Sequence, residues 1–485
     1  MAITRRQFIQ RSGLVAAGSL LGPGLFANPF VRRALADIGN KYLIVIFLDG
    51  GNDGLNTVIP ASNGTGTLRD DYLNARQTGG GGIRIEVSEL TQTAFGQDPA
   101  SGADLALHPG FRGFAGLPGA PGFFDPALAG KIALIQGCGY PEYSLSHEQS
   151  RIIWQTADPA GTGYGGTGWV GRHLALNYNA TQIPAVCIDD RIVGEFKQTA
   201  TSVLAVRRLD NFGFPYDGDY GLDDNEKRTA FLALYDQAIA STNPTVSYVG
   251  SGGRITLESS ESYPAAGSAY ENDVARASFN QEYEDLGRST GRDLREIAKV
   301  IYGVENGILP ASAQARFFQV SNGGYDTHAD QGGADPNGQH FSLHAEVAAA
   351  VNIFYRDLAS MVPGLENRVL VLVWSEFSRR IEQNENGTDH GSQGPMFVIG
   401  GTVQGGVYGN HPNIAESAWD NEGNSVYTQD ANPFRSTDFR DVYGTVLKHW
   451  LGMSQAQIVP AVLQLDAGDP QFYWTTPNVD LAFLP

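Results

Sequence analysis

Asp326 and His328 in GGYDTHADQ (323–331), Asp389 and His390 in NGTDHGSQG (386–394) and Glu376 in WSEFSRR (374–380) place carboxylates and imidazoles in short polar loops. Asp49 and Asp53 in FLDGGNDG (47–54) add two further acids beside Asn52. Donors of this kind suit a hard or borderline divalent cation such as Zn²⁺, Mn²⁺ or Ca²⁺, which gathers several oxygen and nitrogen ligands. Left uncompensated, so many acids would repel one another. A second group, YSLSHEQS (143–150), carries Tyr143, Ser144, Ser146 and His147 at a predicted helix start. Backbone N–H groups and the helix dipole would stabilise a phosphate or sulfate ester there. A serine in that place becomes a nucleophile once a base or metal lowers its pKa. Ser378 and Arg379 follow Glu376, and the guanidinium could hold an ester's oxygens. The plain structural alternative stands beside each residue. An aspartate after a strand is commonly a turn or helix N-cap worth about 1 kcal/mol, which fits Asp53 and Asp326, and Ser146 also reads as an N-cap.

These residues need a scaffold that brings them together. Apolar runs without alternation recur at 42–48, 131–136, 185–190, 315–320, 368–374 and 396–400, as expected of strands covered on both faces. Helical spacing lies between them, clearest at 340–361, where Leu343, Val347, Val351, Phe354 and Leu358 recur every three or four residues. Alternating strands and helices predict an α/β fold with a mostly parallel sheet sandwiched by helices, whose ligands gather beyond the carboxyl ends of the strands. The groups at 49–53, 143–147, 326–328 and 376–379 all follow strands and would share that edge. Asp389 and His390 precede a strand, so they reach it if that strand runs the other way or its loop crosses back.

The stretch 226–241 and the stretch 279–303 read as helices separated by a polar glycine- and serine-rich segment, 250–270. They imply a helical insertion at about 190–310 within a single domain spanning 37–485. A further helix is expected around 439–452.

At the N-terminus, TRRQF (4–8), an uncharged stretch (13–27) and ALA (34–36) describe a twin-arginine export signal with cleavage before Asp37. The uncharged stretch is too short and glycine-rich for a membrane span. The expected location is therefore periplasmic or secreted, with the twin-arginine translocase as partner during export. Five arginines and no acid lie in residues 1–36, leaving 28 basic against 52 acidic residues, a charge of about −24. Such a surface disfavours nucleic acid and anionic lipid. Cys138 and Cys187, the two cysteines, could pair in an oxidising compartment or remain free thiols. There is no G-x-S-x-G elbow, P-loop or G-x-G-x-x-G fingerprint, so α/β-hydrolase, kinase and dehydrogenase readings lack support.

As a set, FLDGGNDGLNTVIP, YPEYSLSHEQSRIIWQTA, GWVGRHL, GGYDTHADQ, VLVWSEFSRR and NGTDHGSQGPMFVIGG resemble the exported DUF1501 proteins, which look like a divergent branch of the alkaline phosphatase and sulfatase superfamily. The resemblance covers nearly all of the mature chain. It implies an alkaline phosphatase-like sheet with two metal sites at one edge. One would involve Asp49 or Asp53, the serines of 144–146 as nucleophile, and Glu376. The other would involve Asp326, His328 and a histidine from a loop like the one carrying His390. Phe377 stands where a histidine ligand is expected, the Asp326–His328 spacing is short, and no C-x-P-x-R sulfatase sequence occurs. These departures point to a single-metal site in which Arg379 supplies part of the missing positive charge. The function implied is a metal-dependent hydrolase of phosphate or sulfate esters, acting on a small-molecule or polymer ester. The alternative is a non-catalytic exported binding or assembly protein that keeps the fold.

Overall fold

The computed structural model describes residues 40–78, 81–141, 143–158, 166–213, 224–415, 419–420, 432–458, 463 and 480–485. The expected export signal at 1–36 lies outside the described residues.

The apolar runs form a nine-stranded sheet. Its strands are β1 (Tyr42–Asp49), β2 (Ile132–Gly139), β3 (Ala185–Cys187), β4 (Val203–Ala205), β5 (Phe317–Gly323), β6 (Val369–Ser375), β7 (Gly394–Gly400), β8 (Gly406–Tyr408) and β9 (Thr437–Asp438). The order is β8-β2-β7-β6-β1-β5-β3-β4, with β9 pairing β2. β1 is central, parallel to β5 on one side and to β6 on the other. β7 runs antiparallel to both of its neighbours, β2 and β6, whereas the remaining pairings are parallel.

Side chains of β1 alternate between two cores because successive residues of a strand face opposite ways. Tyr42, Ile44, Ile46 and Leu48 pack with the helices Pro244–Asn272, Ser289–Glu305 and Gln339–Met361. Leu43, Val45 and Phe47 pack with His147–Thr156, Trp169–Asn177 and Phe439–Thr445. The uniform burial of β1 and β6 follows from this two-sided cover, and the molecule is α/β with a mixed, mostly parallel sheet. Among the described residues, no helix is long and apolar enough to cross a membrane.

The region 190–310 differs from the expectation of a helical insertion in two respects. β4 lies within it and extends the central sheet. The glycine- and serine-rich segment 250–270 is no separator: it sits inside the 29-residue helix Pro244–Asn272. Its small residues permit close packing on the helix Asp224–Ile239, for a Cβ on Gly253 would meet the Tyr235 ring at 2.2 Å and one on Gly250 would meet Ala238 Cβ at 2.7 Å. The expected helix at 279–303 is two, Ala277–Leu286 and Ser289–Glu305, broken where Gly287 adopts φ 61°. Cys138 and Cys187 are free, buried thiols, so the pairing alternative falls.

Candidate metal centre

The reversed direction of β7 brings the last ligand group to the others. β6 continues through Glu376 and Phe377 into Ser378–Arg379, the chain turns, and His390–Gly391 returns antiparallel with Arg379 opposite His390. His390 thereby reaches the edge where β1, β2, β5 and β6 end.

Four side chains meet there. Ligand atoms of His147, Asp326 and His390 all lie within 4.8 Å of one another. His328 joins them, its Nε2 3.0 Å from His390 Nε2 and 3.1 Å from Asp326 Oδ1. His390 Nε2 is also 3.1 Å from that oxygen. His147 Nε2 approaches the other carboxylate oxygen at 3.5 Å. Each imidazole is anchored through its opposite nitrogen, with Nδ1 of His147 on Glu376 Oε1 at 2.8 Å, of His328 on Asp389 Oδ1 at 2.9 Å, and of His390 on the Leu145 carbonyl at 2.7 Å. Carboxylates and carbonyls only accept, so each Nδ1 donates behind; a neutral ring then offers its Nε2 lone pair to a cation, whereas without one an Nε2 beside Asp326 must itself carry a hydrogen. Three Nε2 atoms and a carboxylate converge, a donor set that a cation completes. The residues present therefore fit a divalent ion.

Charge at the centre is held by its neighbours. Partial burial alone would raise the Asp326 carboxyl, but the hydrogen bond and charge of Arg379, with help from His390, hold it at about 2. Burial pushes His390 below its ordinary value. The hydrogen bond to Glu376 raises His147. Asp389 is kept low chiefly by His328, against its own desolvation.

The expected residues distribute unevenly around this centre. Asp326, His328 and His390 come together, with Asp389 behind His328. Glu376 is adjacent but fully buried, its oxygens taken by the Gly50 and Gly51 N–H groups and by His147. Gly50 and Gly51 both take positive φ, and their successive N–H groups form a small anion-binding nest that Glu376 fills. Phe377 lines the cluster with ring centroids 4.9 Å from His147 and 4.6 Å from His390.

Asp49 is turned away to Arg151 at 2.5 Å, and burial raises its pKa despite that partner. Asp53 caps the short helix Gly54–Thr57 and pairs with Arg76 at 2.9 Å, both side chains fully buried. It is not brought to the cluster. Arg379 is also fully buried and donates to Asp326 Oδ1 at 2.7 Å and to the carbonyls of Gly50, Gly51, Tyr325 and Thr388. It is spent on organising the loops rather than presented to an ester. Ser146 caps the helix His147–Thr156, and Ser144 Oγ is shared between Gln149 and the Ser146 N–H.

The residue that sequence reasoning left out of the ligand set is His147. Its signal was its place, first in the helix that follows the tip of β2 in a parallel sheet.

Residues 277–457 match the model of a family described as "Protein of unknown function (DUF1501)". The matched segment contains Asp326, His328, Glu376, Arg379, Asp389 and His390, whereas His147 comes from outside it. No curated protein matches the chain.

Proposed function

We propose that this edge holds a single divalent ion and that the protein is a metal-dependent hydrolase of phosphate or sulfate esters, exported to the periplasm and built on an alkaline phosphatase-like sheet. The observation that carries the reading is the convergence of three Nε2 atoms on Asp326, with each Nδ1 committed behind. His147, His328, His390 and Asp326 would be the ligands. When bound, the ion supplies polarisation of the ester and lowers the pKa of an attacking water. Side chains of Asp326 and His328 are nearly half exposed, so substrate reaches them from solvent. Arg379 acts through Asp326, keeping that carboxylate ionised and aimed. Leu145 and His147 bring the start of the helix His147–Thr156 to the cluster, where its N–H groups can meet an ester's oxygens. With the hydroxyls of Ser144 and Ser146 engaged within their own loop, water is the nucleophile.

Elemental analysis of the purified protein, followed by assays of aryl phosphates, phosphodiesters and aryl sulfates with Zn²⁺, Mn²⁺ or Ca²⁺, tests the reading. One bound ion per chain and turnover lost in H390A are expected. A chain that takes up no ion and turns over none of these esters sinks it. The burial of Arg379 and the engagement of both serine hydroxyls within their own loop favour a second reading, a non-catalytic exported binding protein that retains the ion. That reading predicts one ion per chain without turnover.

A further inference from the structure

Glu376 stands next to a ligand without joining the ligand set, and its surroundings explain why. Gly50 N–H donates to Oε1 at 3.0 Å, Gly51 N–H to Oε2 at 3.2 Å, and His147 Nδ1–H to Oε1 at 2.8 Å. Its main-chain carbonyl accepts from Ser150 Oγ, which ties the strand end to the helix carrying His147. Phe377, immediately after it, packs an aromatic ring against His147 and His390. We infer that Glu376 is a positioning residue: its carboxylate fixes His147 in the tautomer whose Nε2 can ligate, and His147, delivered by the helix after β2, takes the ligand place that Glu376–Phe377 leaves empty. This rests on the metal-site reading above.

The inference has a sharp consequence for a nearly isosteric change. In E376Q the two side-chain positions are an oxygen and an NH₂ group. If the NH₂ replaces Oε2, it faces the Gly51 N–H, donor against donor, and its one acceptor there is Ser375 Oγ at 3.1 Å, which already accepts from Asn52 N–H. If it replaces Oε1, it faces Gly50 N–H and His147 Nδ1, and the imidazole relieves one of those conflicts by moving its hydrogen to Nε2. Gly50 N–H lies 3.0 Å from Oε1 and 3.3 Å from Oε2, so it faces the NH₂ in either placement. Either the loop distorts or His147 ceases to be a ligand. Loss of such an orienting partner lowers metal affinity by roughly 10- to 100-fold.

The test uses the full-length mature protein, ¹⁵N-labelled at histidine. At alkaline pH, where the ring is neutral, His147 in the metal-free wild type should show an unprotonated Nε2, and in E376Q that nitrogen should carry the hydrogen. The His147 signals are assigned by their absence from H147N. Titration with Co²⁺, followed by visible absorption, should show E376Q weakened by roughly 10- to 100-fold with an altered spectrum. H147N covers the case in which E376Q does not fold, since its amide NH₂ can still donate to Glu376 while the Nε2 ligand is gone. It should lose affinity at least as strongly. Wild-type affinity in H147N would mean that Glu376 itself ligates, and an unchanged tautomer with unchanged affinity in E376Q would remove its positioning role. Either outcome overturns the inference. The tautomer is read without metal or substrate, so a wild type that binds Co²⁺ yet hydrolyses no ester defeats the hydrolase reading alone.

Discussion

His328 and His390 face each other Nε2 to Nε2 at 3.0 Å, each with its Nδ1 hydrogen already given to Asp389 or to the Leu145 carbonyl. Two lone pairs at that distance, both 3.1 Å from the Asp326 carboxylate, repel unless a cation or a proton lies among them. A divalent ion that binds the folded chain alone should stabilise it, by about 2.7 kcal/mol at a hundredfold excess over its dissociation constant. The melting temperature of chelator-stripped protein should therefore rise on adding Zn²⁺ or Mn²⁺, and H390A should abolish the rise. Identical melting with and without each ion would exclude a site at this edge.

The pH dependence follows from buried imidazoles elsewhere. His108, His340 and His344 pack with ring centroids 4.1 to 5.2 Å apart. Burial pushes His108 and His340 down to about 3 and His173 to about 4, and lowers His344 well below its ordinary value. For these groups the unfolded chain binds more protons than the folded one below about pH 6.5, so their contribution to stability is complete above about 6.5 and falls below it. Each such histidine contributes a slope of about 1.4 kcal/mol per pH unit in that window. His147, raised by Glu376, works in the opposite direction as a single group. So do Glu195 and Asp293, which burial raises to about 7, and Asp357, raised to about 6, whose protonation favours the folded chain as pH falls. Asp326, held at about 2, adds its loss only below about pH 4. Urea midpoints measured from pH 8 to 4 should fall less steeply below about 6.5 in H340Q than in the wild type. An identical pH dependence in the two proteins would contradict the burial of that ring.

The strands were legible because two-sided burial leaves a direct trace, five or more apolar residues in a row in β1 and β6. The common edge followed from the positions of the polar loops after them. Chemistry within the edge was harder to read. An acid after a strand has the same sequence signature whether it joins a cluster of imidazoles, as Asp326 does, or fills a backbone nest, as Glu376 does, or caps a helix and pairs with an arginine 23 positions away, as Asp53 does. A lone histidine such as His147 has no spacing pattern, and its place beside Asp326 and His390 exists only once the helix after β2 is set beside β6. Helix Pro244–Asn272 hid in a glycine- and serine-rich segment because its small residues serve a close helix contact, which outweighs their low helix propensity.

Asp53 gives a clean contrast with the ligand residues. It is fully buried, accepts from Leu55 N and Asn56 N, and holds Arg76 at 2.9 Å, while Gln331 Nε2 donates to its other oxygen at 2.7 Å. Removing one partner of such a pair leaves a buried charge uncompensated, at a cost of about 3–5 kcal/mol. D53A should lower the stability measured by urea denaturation by that order. At temperatures where it remains folded, its metal stoichiometry should equal that of the wild type. A stable D53A that has lost its ion would instead make Asp53 a ligand.

The serines decide the identity of the nucleophile. Ser146 accepts from Gln149 N at 3.5 Å as the helix cap, and Ser144 accepts from Ser146 N at 3.2 Å. Both hydroxyls thus shape the loop whose Leu145 carbonyl orients His390. Replacing both with alanine should remove a cap worth about 1 kcal/mol and loosen that loop, so KM for an aryl phosphate should rise while kcat stays within a few-fold of wild type. A nucleophilic serine would show the opposite pattern, with kcat collapsing by several orders of magnitude and a covalent phosphoserine trapped in the wild type on acid quench. Mass spectrometry of the quenched protein distinguishes the two, because attack by water leaves the peptide 143–151 unmodified at every time point.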